Sequence, residues 1–326
     1  MNKYKYRSIL KDEIYGFIEL RKSQGLRYMC GTVMRYLDDY LVSESISDKK
    51  LTPDIIDSWI AECFDSLNPN TTSGYMTDYI QFAKYLNMVG IEAYIPVPLS
   101  THQSYVPYIF SRNEIDAIFD TADNLKSVGN PNVELWFPML IRLLYGCGLR
   151  LAEALSLTFS DVDLDKGILY IRNAKGNKDR YVPMDSSLTE ILKLYCVTVL
   201  RKECDRKLLF QSSTGTRLSN SVALSWFRCI LQNAEIDLLP VSSKTHARTR
   251  NICLNCFRHT FAVVSLHRQH SENIDSYRIT PSLSTYLGHN NLTGTQKYLH
   301  MTAEISEDIH AATTAYSKEL FPEVPQ

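Results

Sequence analysis

Three segments of the sequence carry residue types that can bind a phosphate group or attack it. Arg150 follows a glycine-bounded turn at the start of a predicted helix, and Glu153 lies three residues later on the same face. Arg258 enters a second apolar helix, where an unpaired charge would be costly, and a third segment holds His289 and Tyr298. Two guanidinium groups can grip phosphate oxygens, and a phenol can act as a nucleophile. Taken singly, the first pair could be a surface ion pair, and the histidine and the tyrosine could be structural.

Positive charge is concentrated in two parts of a nearly neutral chain. Of 326 residues, 35 are Lys or Arg and 36 are Asp or Glu, which excludes a protein that coats DNA by bulk charge. Residues 1–35 nevertheless hold eight basic residues against three acidic ones, and residues 238–271 hold no acidic residue. Either cluster could be a solvated face, but such stretches favour an anionic ligand, with phosphate the leading candidate. The candidate DNA-binding residues are Lys3, Lys5, Arg7, Lys244, Arg248 and Arg250.

The spacing of apolar residues predicts a mainly α-helical chain with a small antiparallel β-sheet, in two domains. The first domain, residues 1–92, is expected to be a bundle of four helices, over 10–23, 29–43, 53–66 and 71–88. A proline-containing linker covers 93–107, and the second domain covers 108–326. Strands at 168–172 and 178–183 are expected to form a hairpin with Lys175 at its tip. The helices of this domain are predicted over 112–122, 132–146, 150–158, 186–203, 219–234, 258–270, 280–287 and 303–320.

Five residues stand in the order and spacing of a known protein family. Arg150, Lys175, Arg258, His289 and Tyr298 match the pattern of the tyrosine recombinase (phage integrase) family, and the flanking sequences agree: GLRLAEALSL, AKGNKDRYVP, RHTFA and YLGHNNLTGTQKYLH. The resemblance extends over the segment 108–316, and LSTYLGH…YLH is also similar to the mobile-element branch of the family. It implies the family's two-domain architecture, in which a helical core-binding domain precedes a mixed α/β catalytic domain.

The resemblance implies a site-specific DNA recombinase that cleaves and rejoins strands through a 3′-phosphotyrosine intermediate. Tyr298 would attack the phosphodiester, while Arg150 and Arg258 would hold its non-bridging oxygens and oppose the growing negative charge. Lys175 would protonate the leaving 5′-oxygen, since lysine can give up a proton where arginine cannot. No metal and no cofactor would be needed, because the phosphotyrosine link stores the energy of the broken bond. His289 would donate a hydrogen bond to the phosphate. Glu153 would orient Arg150.

One position departs from the family's pattern. Three residues before Arg258, where His or Lys is usual, this chain has Asn255. An amide can donate a hydrogen bond to phosphate but cannot exchange a proton at neutral pH. The enzyme could be active with Asn255 as a neutral donor, or slowed because a base is missing. A third possibility is that His259 or His246 takes the place of the missing base. It is less favoured, because the helix should turn His259 away from Asn255.

The resemblance also implies the partners. The basic N-terminal helices and the acid-free stretch 242–258 would lie on opposite sides of double-stranded DNA, with the linker wrapping around it as in the family's C-shaped clamp. We expect a homotetramer on paired sites, and a co-recombinase or accessory protein of the same element as a further partner. The amphipathic segment 303–320 could dock on a neighbouring protomer or pack on its own core.

Two alternatives remain open from the sequence. A monomeric type IB topoisomerase shares the catalytic set, although the short chain and the core-binding-like domain favour a recombinase. A catalytically silent DNA-binding accessory protein of a mobile element is suggested by Asn255, although retention of Tyr298 counts against it. Whether a recombinase of this kind integrates, excises or resolves its element does not follow from the residues.

The eight cysteines predict neither a disulfide framework nor a zinc site. The single pair Cys253-Leu-Asn-Cys256 lacks a second pair of ligands, so we interpret its members as core thiols. The N-terminus has no apolar signal segment, and the longest apolar run, 135–149, is interrupted by Pro138 and Arg142. The sequence therefore predicts a soluble cytoplasmic protein that does not associate with membranes.

Overall fold

The chain folds as two compact units, Met1–Ser104 and Tyr105–Gln326. The computed structural model describes residues 4–25, 31–67, 69–98, 107–126, 132–172, 179–202, 207–236, 252–271, 276–289 and 291–299. Helices dominate both units, and one three-stranded antiparallel sheet lies in the second. The predicted fold class is therefore confirmed. No helix within these ranges is both long enough and apolar enough to cross a membrane.

Four helices form the N-terminal unit and correspond to the four predicted ones: α1 (Lys11–Ser23), α2 (Gly31–Ser43), α3 (Pro53–Phe64) and α4 (Pro69–Met88). Trp59 and Tyr79 lie fully buried at their centre, with ring centroids 5.3 Å apart. Asp38 of α2 is buried and accepts hydrogen bonds from the backbone N–H groups of Arg7 and Ser8, at 3.0 and 2.8 Å. These bonds tie the N-terminal segment to the bundle.

The first residues of the predicted linker pack on the N-terminal unit. Ala93 pairs with Leu51 in a parallel bridge, and both its N–H and its carbonyl bond the side-chain amide of Asn87, at 2.9 and 2.7 Å. The hydroxyl of Tyr79 donates to the Tyr94 carbonyl at 2.8 Å. These contacts involve backbone groups, so the spacing of apolar residues carries no sign of them. The end of the linker, 99–106, lies outside the described residues.

The second unit begins with three helices: α5 (Arg112–Asp123), α6 (Val133–Gly146) and α7 (Leu151–Ala154). A capping box begins α5, since Ser111 Oγ accepts from the Glu114 N–H at 3.3 Å and Glu114 Oε2 accepts from the Ser111 N–H at 2.7 Å. Helix α6 is apolar on nearly every face and runs through the main core. It positions the turn that leads into α7.

The prediction of one helix over 150–158 is wrong, because α7 ends at Ala154. After this end, the Leu157 carbonyl accepts from the Leu209 N–H at 2.8 Å, and Thr158 forms an antiparallel bridge with Leu208. A distant part of the chain therefore takes the backbone groups that a continuing helix would have used.

The sheet has three strands in the order β1 (Val162–Asp163), β2 (Ile168–Ile171) and β3 (Arg180–Pro183). Strands β2 and β3 form the predicted pair, with Leu169 opposite Val182. Strand β1 was not predicted, and it forms because Val162 pairs with Leu169. A strand of two residues is too short to show an alternating pattern. The hairpin tip, with Lys175, lies outside the described residues.

Five more helices complete the described part of the second unit: α8 (Ser186–Lys202), α9 (Asn220–Asn233), α10 (Asn255–Ser271), α11 (Ser276–Leu287) and α12 (293–299). Helix α10 begins at Asn255, earlier than predicted, so that Arg258 lies one turn inside it. Helix α10 packs on α6 and α11. The segment 303–320, predicted as a helix, lies outside the described residues.

Candidate active site

Arg150 stands at the entrance of α7 with its guanidinium group fixed on two sides. Nη1 donates to Glu153 Oε1 at 2.8 Å, and Nη2 donates to the Gly288 carbonyl at 2.9 Å. The backbone N–H of Arg150 donates to Glu153 Oε2 at 3.0 Å. The side chain remains 25% exposed, so an anion can reach the guanidinium from solvent.

Glu153 is a buried carboxylate shared by two arginines. Arg180 of β3 donates to it in a bidentate manner, at 3.0 Å to Oε1 and 2.8 Å to Oε2. Burial alone would raise the pKa of Glu153, but the hydrogen bonds and charges of Arg180 and Arg150 outweigh it and lower this pKa to about 2. Glu153 is therefore ionised at neutral pH and ties α7 to the sheet.

Arg258 is buried, with 4% of its surface exposed. Nη1 donates to the Gly148 carbonyl at 2.7 Å and Nη2 to the Leu287 carbonyl at 2.6 Å. Burial, together with the nearby charge of Arg150, lowers the pKa of Arg258 to about 10, which leaves it charged at neutral pH. None of the carboxylates in the described ranges forms an ion pair with it. A buried charge held only by carbonyls is stabilised when an anion binds beside it.

The C-terminal end of α11 brings the arginines together. Three consecutive carbonyls, at 286–288, accept from Arg180 at 2.8 Å, Arg258 at 2.6 Å and Arg150 at 2.9 Å. A helix end leaves its last carbonyls without partners in the helix and carries partial negative charge, so it suits cations. Gly288 makes the turn possible with a φ of 66°, in the left-handed region that favours glycine. Arg150 and Arg258 thus lie side by side.

Tyr298 of α12 lies against His259 of α10. Its hydroxyl oxygen is 2.7 Å from His259 Nδ1. Burial, together with the charges of Arg258 and Lys297, lowers the pKa of His259 to about 4, so the imidazole is neutral at pH 7. Burial raises the pKa of Tyr298, against the opposing effect of Arg258 and Arg150, so the phenol is protonated. If His259 carries its proton on Nε2, the phenol donates and Nδ1 accepts.

His289 lies on the other side of Tyr298, with ring centroids 6.3 Å apart. Its Nδ1 is 2.7 Å from the hydroxyl of Thr295, which is fully buried. Burial lowers the pKa of His289 to about 4, and the charges of Arg258 and Arg150 add to the effect. If Thr295 donates to Nδ1, Nε2 carries the proton and can donate to a bound phosphate.

The structure brings five of the predicted site residues into one place: Arg150, Glu153, Arg258, His289 and Tyr298. Asn255 is exposed at the first position of α10, one turn before Arg258 and on the same helical face. Among the candidate DNA-binding residues, Lys5 and Arg7 are exposed, and Arg7 Nη2 lies 3.2 Å from Asp39 Oδ1. The remaining candidates lie outside the described residues: Lys3, Lys175, Lys244, Arg248 and Arg250.

Two residues of the site escaped the sequence analysis. Arg180 stood in a predicted strand without a role, and nothing in its spacing connects it to Glu153. His259 was set aside because the helix turns it away from Asn255, and that same direction carries it to Tyr298. A signal for His259 was present, because a histidine directly after Arg258 at the start of an apolar helix must face a different neighbour from the arginine.

Comparisons with known proteins identify the family of this chain. The family described as "Phage integrase family" matches residues 109–304. The chain is 28% identical over 315 residues to a protein of Sinorhizobium fredii named "Putative integrase/recombinase y4rB", over 92% of this chain and 96% of that protein. It is 27% identical over 257 residues to the tyrosine recombinase XerC of Bacillus subtilis, over 76% of each chain. The chain therefore belongs to the phage integrase family of tyrosine recombinases, and the prediction of a DNA recombinase is confirmed.

A solved structure shows the same fold. The Tn1549 transposon integrase in complex with transposon right end DNA matches with a TM-score of 0.60 at 15% identity, over 90% of this chain and 98% of that one. Within the described ranges of the present chain, no group of three or more His, Cys, Asp or Glu side chains is arranged to hold a metal ion.

Proposed function

We propose that this protein is the site-specific recombinase of a mobile element, and that it cleaves and rejoins double-stranded DNA through a 3′-phosphotyrosine intermediate. One observation carries the proposal: the Tyr298 hydroxyl lies 2.7 Å from Nδ1 of the neutral His259, beside two guanidinium groups held side by side by adjacent backbone carbonyls. A nucleophile, a proton acceptor and a doubly cationic pocket are the groups that attack on a phosphodiester requires.

In the cleavage step, the oxygen of Tyr298 attacks phosphorus while the bond to the 5′-oxygen breaks. The phenolic proton passes to Nδ1 of His259. Arg150 and Arg258 hold the two non-bridging oxygens, on which negative charge grows. The leaving 5′-oxygen takes a proton from Lys175, the residue that the resemblance to the family assigns to this step. The products are a phosphodiester between Tyr298 and the 3′ end, and a free 5′-hydroxyl.

Two further residues contact the phosphate in this proposal. Nε2 of His289 donates to a non-bridging oxygen, since its other nitrogen is occupied by Thr295. Asn255, exposed one turn before Arg258, donates through its amide as a neutral group. In the rejoining step, the 5′-hydroxyl of a second strand gives its proton to the now neutral Lys175 and attacks the phosphotyrosine, and Tyr298 leaves. His259 returns the proton to the phenol, by microscopic reversal of the first step.

We further propose that the protein acts as a homotetramer on two DNA sites, with an accessory protein of the element as a further partner. The similarity to the Tn1549 transposon integrase, which was solved with the DNA of a transposon end, supports the role in a mobile element. The buried, charged Arg258 and its exposed neighbour Arg150 support a polyanionic ligand.

Incubation of the protein with fragmented genomic DNA of its host tests this function. Covalent complexes are trapped by denaturation, and the attached DNA is sequenced, with Tyr298→Phe as the control. We expect attachments that converge on one sequence at the ends of a mobile element, and none with Tyr298→Phe. Attachments at unrelated sequences would favour a topoisomerase, and DNA binding without any covalent complex would favour a silent accessory protein.

A further inference from the structure

Cys253 and Cys256 form a pair of thiols at the N-terminal end of α10. Their Sγ atoms lie 3.8 Å apart, and both are thiols rather than members of a disulfide. Cys256 is fully buried, while Cys253 is partly exposed. A disulfide has an S–S distance of about 2.0 Å, so the two sulfur atoms are within reach of a bond after a modest movement.

The surroundings make the two thiols chemically different. The sulfur of Cys253 accepts from the thiol of Cys256 and from the backbone N–H groups of Asn255 and Cys256, and these bonds lower the pKa of Cys253 in spite of its burial. The hydrogen bond to Cys253 and burial raise the pKa of Cys256. Cys256 Sγ also accepts from the Cys253 N–H at 3.3 Å. The exposed sulfur is therefore the nucleophilic one.

Other cysteines of the described chain lack this environment. Burial raises the pKa of Cys147 to about 12 and that of Cys196 to about 11, and both are buried in the main core. Neither lies at the start of a helix, where N–H groups and the helix dipole favour a thiolate. Cys63 and Cys229 lie within α3 and α9, also away from a helix start. Within the described residues, this environment is therefore specific to the pair on α10.

We propose that Cys253 and Cys256 are a redox-active dithiol that exchanges with low-molecular-weight disulfides, and that closure of the pair to a disulfide slows DNA cleavage. Cys253 is the attacking thiol and Cys256 the resolving thiol. The thiolate of Cys253 attacks one sulfur of the small disulfide, forming a mixed disulfide and releasing one small thiolate. Cys256 then loses its proton to that thiolate and attacks the sulfur of Cys253, which releases the second small thiolate. The protein loses two electrons and the small disulfide gains them.

The effect on cleavage rests on the proposed function, whereas disulfide formation does not. Asn255 lies between the two cysteines, and Arg258 follows two residues after the second. Because Cys256 is held in place by its burial, formation of the disulfide requires Cys253 to move, together with the backbone that carries Asn255. This displaces a group that faces the phosphate in our proposal, and a misplacement of about 1 Å can cost up to about 10²-fold in rate.

The test uses the full chain and oxidised glutathione as the small disulfide. After exposure, remaining thiols are alkylated with iodoacetamide, and peptides are identified by mass. In the wild type we expect a Cys253–Cys256 disulfide, lighter than the dithiol by two hydrogens. Cys256→Ser should retain glutathione on Cys253, and Cys253→Ser should leave Cys256 unreacted. Cys229→Ser, a partly exposed cysteine outside the pair, should behave as the wild type.

Two results would overturn the assignment of the dithiol. One is the absence of the disulfide in the wild type, and the other is glutathione that persists on wild-type Cys253 as it does in Cys256→Ser. For cleavage, we expect the single-turnover rate of the oxidised wild type to fall about tenfold and to recover on reduction with dithiothreitol, within the range a small misplacement can cause. Oxidant should leave the rate of Cys253→Ser unchanged. A closed disulfide with an unchanged rate would overturn the switch, and a reduced wild type that never cleaves would instead overturn the proposed function.

Discussion

In the proposed cleavage step, Tyr298 needs a base at the moment of attack, because its buried phenol is protonated at neutral pH. Arg150 and Arg258 cannot serve, since a guanidinium has no lone pair to offer. Nδ1 of His259, at 2.7 Å, lies within reach of the phenolic proton, and its lowered pKa keeps the imidazole neutral at pH 7. A base of low pKa provides little driving force for removal of the phenolic proton. The two arginines supply the remainder, by opposing charge on the phosphate.

Replacement of His259 separates its proton transfer from its hydrogen bond. In His259→Asn, the amide oxygen can still accept from Tyr298 but cannot take up a proton. We expect the single-turnover rate of covalent-complex formation to fall about 10²–10⁴-fold, the usual contribution of general acid–base catalysis. DNA affinity should stay the same, because His259 does not contact phosphate in this account. A variant as fast as the wild type would show that His259 only positions the tyrosine.

The low pKa of His259 also predicts the pH dependence of cleavage. A histidine with the ordinary pKa of about 6.5 is about 90% protonated at pH 5.5 and would lose about tenfold in rate as a base. Because burial holds the pKa of His259 and of His289 at about 4, both stay mostly neutral at pH 5.5. We expect the single-turnover rate to change less than about twofold between pH 7.5 and 5.5. A tenfold loss centred near pH 6.5 would contradict the assignment of a buried neutral base.

At the scale of elements, the helix end at 286–288 organises the site. Its three carbonyls accept hydrogen bonds from arginines of β3, α10 and the entrance of α7. Glu153 joins two of these arginines, Arg150 and Arg180. Apolar spacing predicted each of these elements, since it reports which face of a helix is buried. It could not predict the network. The pairing of Glu153 with Arg180 joins residues 27 apart across a helix and a strand, and only the folded chain brings them together.

Loss of the Glu153 carboxylate should destabilise the second unit. Glu153→Gln leaves Arg150 and Arg180 close together without their shared anion, and breaking a buried ion pair typically costs about 3–5 kcal/mol. We expect the free energy of unfolding to fall by about 3 kcal/mol in a denaturant titration. The matched control is Asp163→Asn, because Asp163 pairs with Lys166 at 3.2 Å but both side chains are exposed. Its expected cost is about 0–1 kcal/mol. Equal effects of the two variants would contradict a structural role for the network.

The errors at this scale have a common physical origin. Helix α7 ends early because a distant segment supplies a backbone partner at Leu209, and β1 forms because it pairs with Leu169 of the next strand. Such pairings leave no periodic trace in a segment of two to four residues. The longer helices were predictable because each buries a continuous apolar stripe. The resemblance to the family supplied most of the site, since motif order identified Arg150, Arg258, His289 and Tyr298 without knowledge of their contacts.

For the whole molecule, the account requires binding to DNA by many phosphate contacts in a protein of net charge −1. Affinity should then fall steeply with salt, because each contact releases counterions from DNA. With a slope of about −0.9 for each contact, about four contacts would lower the affinity about 10²-fold for a fourfold rise in salt. Lys5→Ala should reduce the slope by about one. Lys50→Ala, which removes an exposed lysine that pairs with Glu92 at 2.7 Å, should leave it unchanged. A DNA affinity that does not change with salt concentration would contradict the proposed basic clamp.

The measurement that tests the central claim most directly is the chemical identity of the covalent complex. The protein is incubated with a nicked oligonucleotide duplex that carries its recovered target site, so that cleavage cannot be reversed. The trapped complex is then digested and its peptides are analysed by mass spectrometry. The account predicts a nucleotide linked through a 3′-phosphate to Tyr298, with a free 5′-hydroxyl on the released strand. Attachment to any other residue, attachment through a 5′-phosphate, or no attachment while DNA is bound would contradict it.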